Sequence, residues 1–419
     1  MARVATGQLH FASGRVRRRK LIIRINGRRR AFTGKQVMKH ETRIFISAAE
    51  PSADMHAASL IRAVTQLDGN TTFTGVAGPR MRDAGCDGVF DMTAHAAMLT
   101  SALGSVRQAA DMMRKATNCL QSRRWDAIVV VDSPTLHLPL ALRAHALGIP
   151  TMYYIAPQLW AWGRNRIYKL RHCIDEVAAI LPFEEAFFRA EGVRATFVGH
   201  PLVDSIKAEP PDATVAAMLR GQGDPVVGLL PGSRRHVVEQ ILPGQLEVAQ
   251  AIRRVFPQVA FAVSVAGAGV EPLIQRLVRA SGVSAKLLVG QHRAIIDASD
   301  LVLVASGTTT LEVAFFQTPM IVMYNASKWM YQLIGRWMVR IPHYSLPNIL
   351  AGERIVPEFM PYYTSTRPIA AEAISLLQSI DERRAMVMRL SEITRPLHDR
   401  SASQRAARML LDLCRKHAH

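Results

Sequence analysis

Two glycine turns in the second half of the chain carry the residue types that hold phosphate. Leu230-Pro231-Gly232-Ser233-Arg234-Arg235 and Ala305-Ser306-Gly307-Thr308-Thr309-Thr310-Leu311-Glu312 each follow a short apolar run and open onto a stretch of helical period. A helix start presents unpaired backbone N–H groups and the positive end of its dipole, and a glycine there lets an anionic oxygen approach the backbone. One such turn is as well explained by an ordinary strand-to-helix loop. Two in one region, with hydroxyls, an arginine and a carboxylate one turn into the second helix, point to an anion cradle. A third feature is Asp132, which closes the apolar run 127–131. Open parallel sheets bind ligands at the carboxyl ends of their strands, and Asp132 sits at such an end. Its plain alternative is a helix N-cap, since Ser133-Pro134 follows.

The elements that must position these residues read as an alternation of short β-rich runs and longer amphipathic stretches, the signature of βαβ units on a parallel sheet. The first series has strands at 42–47, 72–76, 127–131 and 151–155, with helices at 54–67 and from 133 to about 147, closed by Gly148. A second begins at Val226, with strands at 226–230, 259–265, 286–289, 301–305 and 319–323 and helices between them. The polar, proline-bearing stretch 207–225 separates the two. The expected architecture is α/β: two doubly wound Rossmann-like domains facing a cleft, at 41–206 and 226–365, with a helical C-terminal segment, 366–419, packing back on the fold.

Composition limits the function classes. Residues 1–40 contain twelve Lys and Arg and no acid, which leaves +7 of the net +19 to the rest of the 419 residues. Charge confined in this way describes a basic leader, expected to be disordered or to lie upstream of the true start near Met38, and no nucleic-acid partner is expected. Leu21-Ile22-Ile23 is too short for a secretory apolar core. No apolar run reaches the roughly 18 residues of a membrane span. Cys86, Cys119, Cys173 and Cys414 are widely spaced, so neither a zinc site nor a disulfide framework is indicated. Ala48 to Ala53 holds no glycine, which argues against a dinucleotide-binding oxidoreductase.

Eight segments, taken in order, resemble the lipid-A-disaccharide synthase family, glycosyltransferases that join two acylated glucosamines at a membrane surface. They are Ala49-Glu50-Pro51-Ser52-Ala53-Asp54, Gly78-Pro79-Arg80-Met81, Val131-Asp132-Ser133-Pro134, Ala156-Pro157-Gln158-Leu159-Trp160-Ala161-Trp162, Leu181-Pro182-Phe183-Glu184, Phe197-Val198-Gly199-His200-Pro201-Leu202, the two cradles taken together, and Ser345-Leu346-Pro347-Asn348-Ile349-Leu350-Ala351-Gly352. The resemblance implies a GT-B fold that holds acceptor in the first domain and UDP in the second. It implies an inverting reaction in which the 6-hydroxyl of 2,3-diacylglucosamine 1-phosphate attacks the anomeric carbon of UDP-2,3-diacylglucosamine, giving a β-1,6 disaccharide 1-phosphate and UDP. The alternative is another UDP-N-acetylglucosamine enzyme of this fold, a wall glycosyltransferase or a 2-epimerase. No cofactor is expected, the UDP-sugar being a substrate. The implied location is cytoplasmic, peripheral on the inner face of the cytoplasmic membrane, with a homodimer left open.

Residue by residue, the resemblance makes Asp132 the base for the attacking hydroxyl. Gly232, Ser233 and Arg234 would hold the diphosphate, with Ser306, Gly307, Thr308 and Thr309 adding donors. Glu312 would accept from ribose hydroxyls and Asn348 would touch donor or uracil; a surface carboxylate and a turn asparagine are their plain alternatives. Glu50, Ser52 and Asp54 would face the acceptor, with Asp54 otherwise an N-cap. Trp160 and Trp162 would stack on sugar or anchor packing. Met98, in the apolar stretch 94–103, falls in a candidate acyl-chain pocket. Residues 328–340, with Trp329, Leu333 and Trp337 among three basic side chains, suit an interfacial helix. No Asp-x-Asp pair lies beside the cradles, so no metal site is expected. Three positions depart from the family pattern: Ala53 replaces a glycine, which would strain a backbone needing positive φ, Thr135 replaces an aspartate, and His137, an asparagine in the pattern, becomes either a proton shuttle or a core histidine.

Overall fold

A computed structural model of the chain describes residues 21–25, 28–32, 41–91, 102–161, 166–325, 342–398 and 401–417. It divides into two units, Met1–Glu41 and Thr42–His419. In the first, β1 (Leu21–Ile25) and β2 (Arg28–Phe32) pair antiparallel, so the basic leader carries a two-stranded ribbon. These ten positions are the part of the leader that the structure describes.

The second unit contains two parallel sheets. The first has seven strands: β3 (Thr42–Ala48), β4 (Thr71–Val76), β5 (Cys86–Phe90), β6 (Ala127–Val131), β7 (Thr151–Tyr154), β8 (Glu176–Ala179) and β9 (Ala195–Phe197), in the order β5-β4-β3-β6-β7-β8-β9. The run Ala-Ile-Val-Val-Val of β6 shows why it is central. Ala127, Val129 and Val131 face one core, Ile128 and Val130 the other, as a parallel strand covered on both faces requires. The second sheet has six strands: β10 (Val226–Leu230), β11 (Ala260–Val265), β12 (Lys286–Val289), β13 (Leu301–Ala305), β14 (Met320–Met323) and β15 (Glu358–Phe359), in the order β12-β11-β10-β13-β14-β15. Buried side chains around it form a single cluster.

The strand orders locate the crevices. The chain leaves β3 toward β4 on one side and resumes at β6 on the other, so the first sheet reverses between β3 and β6. In the second sheet the reversal lies between β10 and β13. Loops diverge at such points and leave room for a ligand. The four loops concerned carry Glu50, Asp132, Gly232 to Arg234 and Ser306 to Thr309.

The C-terminal helices divide between the sheets. Helix Arg367–Gln378 and the N-terminal half of Ile380–His398 bury Ile369, Ala373, Leu376, Met386 and Leu390 in the core of the second sheet. Helix Ala402–His417 buries Ala406, Leu410 and Leu413 with Ala57, Leu60 and Ile61 of helix Pro51–Leu67 in the core of the first.

Candidate active site

The two reversal points meet through Glu50. It is the N-cap residue of helix Pro51–Leu67, and its side chain does not cap that helix. Its Oε1 accepts from Ser133 Oγ at 3.3 Å, and its Oε2 lies 3.7 Å from Arg234 Nη2. Glu50 and Ser133 follow β3 and β6, whereas Arg234 follows β10. The contact therefore joins the loops of both sheets. Arg234 is 69% exposed and Glu50 45%, so the pair contributes little to stability, about 0–1 kcal/mol. The guanidinium remains available to a better anion.

Asp132 lies in the same cluster, half-buried, with a strained backbone. Its φ of 55° and the 45° of Ser133 put two consecutive non-glycine residues in the left-handed region, a conformation that costs of order 1–3 kcal/mol per residue and persists only where surroundings hold it. Two donors hold it here. Tyr153 Oη donates to the Asp132 carbonyl at 2.7 Å, and His137 Nδ1 lies 2.7 Å from the same oxygen. His137 is fully buried, with Nε2 2.9 Å from Ser47 Oγ. Burial pushes its imidazole down to about 4, so the neutral ring donates from Nδ1 to the carbonyl and accepts the Ser47 hydroxyl proton at Nε2. Of the two readings of His137, the structure supports the core histidine. Burial raises the Asp132 carboxyl above the ordinary range, and Glu50 adds to this; the Ser133 backbone hydrogen bond and the charge of Arg234 oppose it.

The cradles lie side by side. Gly232 has φ 99°, and a β-carbon there would come 3.0 Å from Val237 Cγ1 and 3.7 Å from Ala305 Cβ. Gly307, at φ 150°, caps helix Thr308–Phe315 with open space in front of it. Neither this helix nor Arg235–Val255 receives a side-chain cap from its N-cap residue. Ser233 and Thr308 are exposed, Ser306 and Thr309 half-buried. The fully buried Gln245 donates its amide to the carbonyls of Leu303 at 2.9 Å and Leu230 at 3.4 Å, tying the middle of β13 to the end of β10.

Glu312 is buried, with Oε1 2.7 Å from Arg293 Nε and Oε2 3.1 Å from His292 Nε2. Burial alone would raise its carboxyl, but the hydrogen bonds and charges of His292 and Arg293 outweigh it and hold the group below the ordinary glutamate range. A carboxylate offers about four lone-pair directions, so two remain.

Several expected contacts are corrected. The Asp54 carboxylate accepts from the backbone N–H groups of Arg80 at 3.0 Å and Met81 at 3.1 Å, opening helix Pro79–Asp83. It therefore braces a neighbouring helix and does not cap its own, whose N-cap residue is Glu50. Asn348 is fully buried; its Oδ1 accepts from Ile355 N and Val356 N, and its Nδ2 donates to Val356 O. These bonds tie helix Leu346–Ala351 to the segment that follows it. Trp160 packs edge-on against Phe183 with ring centroids 4.9 Å apart, and donates its indole N–H to Glu184 at 3.0 Å, so it is a packing anchor. Ala53 lies within helix Pro51–Leu67, where no positive φ is needed; the strain is at Asp132 and Ser133 instead. Ser52 is exposed at the start of that helix, and Thr135 is exposed in the first turn of helix Pro134–Ala146. Met98, Trp162, Trp329, Leu333 and Trp337 lie outside the described residues.

Tyr153 and Arg293 were not singled out from the sequence, and Glu184 was named only as part of its motif, with no role. A tyrosine in a fully buried strand usually finds a partner for its hydroxyl; Tyr153 follows that rule, whereas the hydroxyl of its neighbour Tyr154 is buried without a partner among the described residues. Arg293 gives no local signal. Glu184 is buried, accepts from Trp160, Ile180 N and Leu181 N, and is pushed up to about 7 by burial, with those three bonds opposing.

Residues 44–412 match the model of the family described as lipid-A-disaccharide synthetase. The chain belongs to the lipid-A-disaccharide synthase family. The enzyme is 35% identical over 376 residues to the lipid-A-disaccharide synthase of Syntrophus aciditrophicus, covering 89% of this chain and 98% of that one. It is 32% identical over 386 residues to that of Geobacter sulfurreducens, with 89% and 98% covered. It is thus a UDP-sugar glycosyltransferase of lipid A biosynthesis. Solved structures at low identity share the fold. The S. aureus MnaA protein solved with UDP matches with a TM-score of 0.62 at 13% identity, covering 89% of this chain and 97% of that one. The UDP-GlcNAc 2-epimerase of Neisseria meningitidis, bound to UDP-GlcNAc, gives 0.54 at 13%, with 90% and 99% covered. These confirm the two-domain GT-B architecture. No helix among the described residues is long and apolar enough to cross a membrane.

Proposed function

We propose that the enzyme transfers 2,3-diacylglucosamine from its UDP derivative to the 6-hydroxyl of 2,3-diacylglucosamine 1-phosphate with inversion at the anomeric carbon. The observation that carries this is the meeting of Asp132 and Glu50 with Arg234 across facing reversal points. Glycosyl transfer needs a base for the incoming hydroxyl and positive charge for the departing diphosphate. Asp132 takes the hydroxyl proton as the oxygen bonds to the anomeric carbon, and the bond from that carbon to the UDP oxygen breaks. Its raised affinity for a proton makes it a stronger base than an exposed aspartate. Arg234, the helix starts after Gly232 and Gly307, and the groups of Ser233, Ser306, Thr308 and Thr309 take up the negative charge on UDP. Glu312 accepts the ribose hydroxyls through its remaining lone pairs. Glu50 and Ser52 border the acceptor.

The positive charge of the arginine and the helix starts supports transfer without a divalent ion or other cofactor. Full activity in EDTA is the expected result, and rescue by magnesium would overturn it. Both substrates carry acyl chains, which supports a peripheral position on the inner face of the cytoplasmic membrane, with Trp329, Leu333 and Trp337 as lipid contacts and Met98 in an acyl pocket.

The test is incubation with UDP-2,3-diacylglucosamine and the acylated acceptor, following UDP release and disaccharide formation. Equal turnover of UDP-N-acetylglucosamine lacking acyl chains would sink the substrate assignment. An α-linked product would sink inversion.

A further inference from the structure

Arg293 uses all three nitrogens of its guanidinium to connect the candidate ribose carboxylate with the linker between the two sheets. It stands at the start of helix His292–Ala298, with a side chain only 11% exposed. Nε donates to Glu312 Oε1 at 2.7 Å. Nη2 donates to Ser205 Oγ at 2.7 Å, and Nη1 to the carbonyls of Ser205 at 3.0 Å and of Glu209. Ser205 lies in the last turn of helix Pro201–Ala208, and Glu209 is its C-cap residue. Exposed carbonyls and the negative dipole end of a helix favour a cation there.

That helix is itself fixed to the rest of the fold. Asp204 Oδ2 accepts from Ser403 N at 2.8 Å, at the start of the helix that packs on the first sheet, and Lys207 Nζ donates to His398 O at 3.3 Å. Val203 packs in one apolar cluster with Leu311 of the Glu312 helix, and with Phe197 and Leu397. The carboxylate, the second cradle and the linker thus form one hydrogen-bonded and packed unit.

We propose that Arg293 is a positioning residue for donor binding, holding Glu312 in the orientation that meets ribose and fixing it to the interdomain linker. The inference rests on the ribose reading of Glu312. It requires the planar fork and not only the charge, because a lysine ammonium cannot span Glu312, Ser205 and Glu209 together.

The test is calorimetric titration of UDP into the full-length chain and its variants, with thermal melting to establish that each is folded. Glu312→Gln tests the ribose reading: unchanged UDP affinity would overturn that reading and this inference with it. Where Glu312→Gln does weaken UDP, Arg293→Lys should weaken it roughly tenfold and Ser205→Ala about threefold, the range for losing charged and neutral buried hydrogen bonds. Wild-type affinity in Arg293→Lys would overturn the inference while leaving the ribose reading intact.

A pH series adds a readout that simple loosening would not move. In Arg293→Met, burial of Glu312 is opposed only by His292, so its carboxyl rises and the affinity ratio of variant to wild type falls on acidification. The other ionisable groups facing this unit, Glu209 and Lys207 from the linker and His398 stacked on Phe315, are the same in both proteins. If Arg293→Met does not fold, the lysine and Ser205 variants carry the test. A ratio independent of pH would overturn the inference.

Discussion

The strained turn at Asp132 gives the sharpest prediction, because two donors converge on one carbonyl and each can be removed separately. Tyr153→Phe deletes the hydroxyl 2.7 Å from the Asp132 carbonyl and nothing else. Ser47→Ala leaves His137 in place but removes the donor 2.9 Å from its Nε2, so the ring is no longer held in the tautomer that donates from Nδ1. Each change removes one buried hydrogen bond, about 0.5–1.5 kcal/mol. Together they weaken the brace against the left-handed strain at Asp132 and Ser133, roughly 1–3 kcal/mol per residue, and leave the His137 contact and the backbone bonds of the turn to hold it. The single variants should therefore each lose about 1 kcal/mol of stability and roughly fivefold in kcat, while KM for the donor stays constant. The double variant should exceed the product of the two, with a coupling of at least about 0.5 kcal/mol in kcat. Urea unfolding and steady-state kinetics on the four proteins measure both quantities. If both singles lose stability while kcat in the double variant equals that of wild type, the carbonyl brace does not position the base.

Three further results are expected. Asp132→Asn should lower kcat by two or more orders of magnitude with UDP affinity retained, and the acid limb of the wild-type kcat/KM profile should lie above the ordinary carboxylate range, as the raised Asp132 carboxyl requires; a limb at or below that range would count against Asp132. Gly232→Ala forces a side chain into φ 99° and against Val237, so UDP affinity should fall about tenfold, matching left-handed strain of roughly 1–2 kcal/mol, and unchanged binding would remove this turn from the donor site. Glu184 is raised from 4.5 to about 7, so its ionisation opposes folding as pH rises through that window, by roughly 3 kcal/mol. The stability of Glu184→Gln relative to wild type should then improve by that order between pH 4.5 and 8, and a constant difference would refute the burial argument. His137 and His200 act in the opposite sense: lowered from 6.5 to about 4 and about 3, they contribute stability above pH 6.5 that is lost on acidification, which is why the comparison uses the difference between the two proteins.

The order of elements was legible because it depends on local patterns. Ala127 to Val131 is five apolar residues ending in aspartate, and the glycines of both cradles follow similar runs, so strand ends and helix starts could be placed from sequence alone. The motifs that carry the family resemblance also sit at these ends. Short or irregular strands were harder: β5 contains an aspartate and a glycine, and β15 is two residues long, so neither has the period that marks a strand.

Side-chain roles were less legible, for a physical reason. Asp54, Asn348 and Glu312 are polar residues beside glycine or proline turns, the same pattern as ligand-binding residues, and sequence does not reveal which backbone amides or cations lie within reach. Asp54 meets helix Pro79–Asp83 across 26 positions, and Glu312 meets Arg293 across 19. A buried carboxylate must find donors, and the fold supplies them before any ligand arrives. The distinction lies in how many acceptor positions remain. Asn348 has both sides of its amide bonded to the backbone of Ile355 and Val356, so a ligand would have to displace backbone bonds. Glu312 holds one donor on each oxygen, and Glu50 holds Arg234 only at 3.7 Å in an exposed setting. Partner count and distance therefore separate the polar residues that brace the fold from those with bonding capacity to spare, and Glu50, Arg234 and Glu312 fall in the second group.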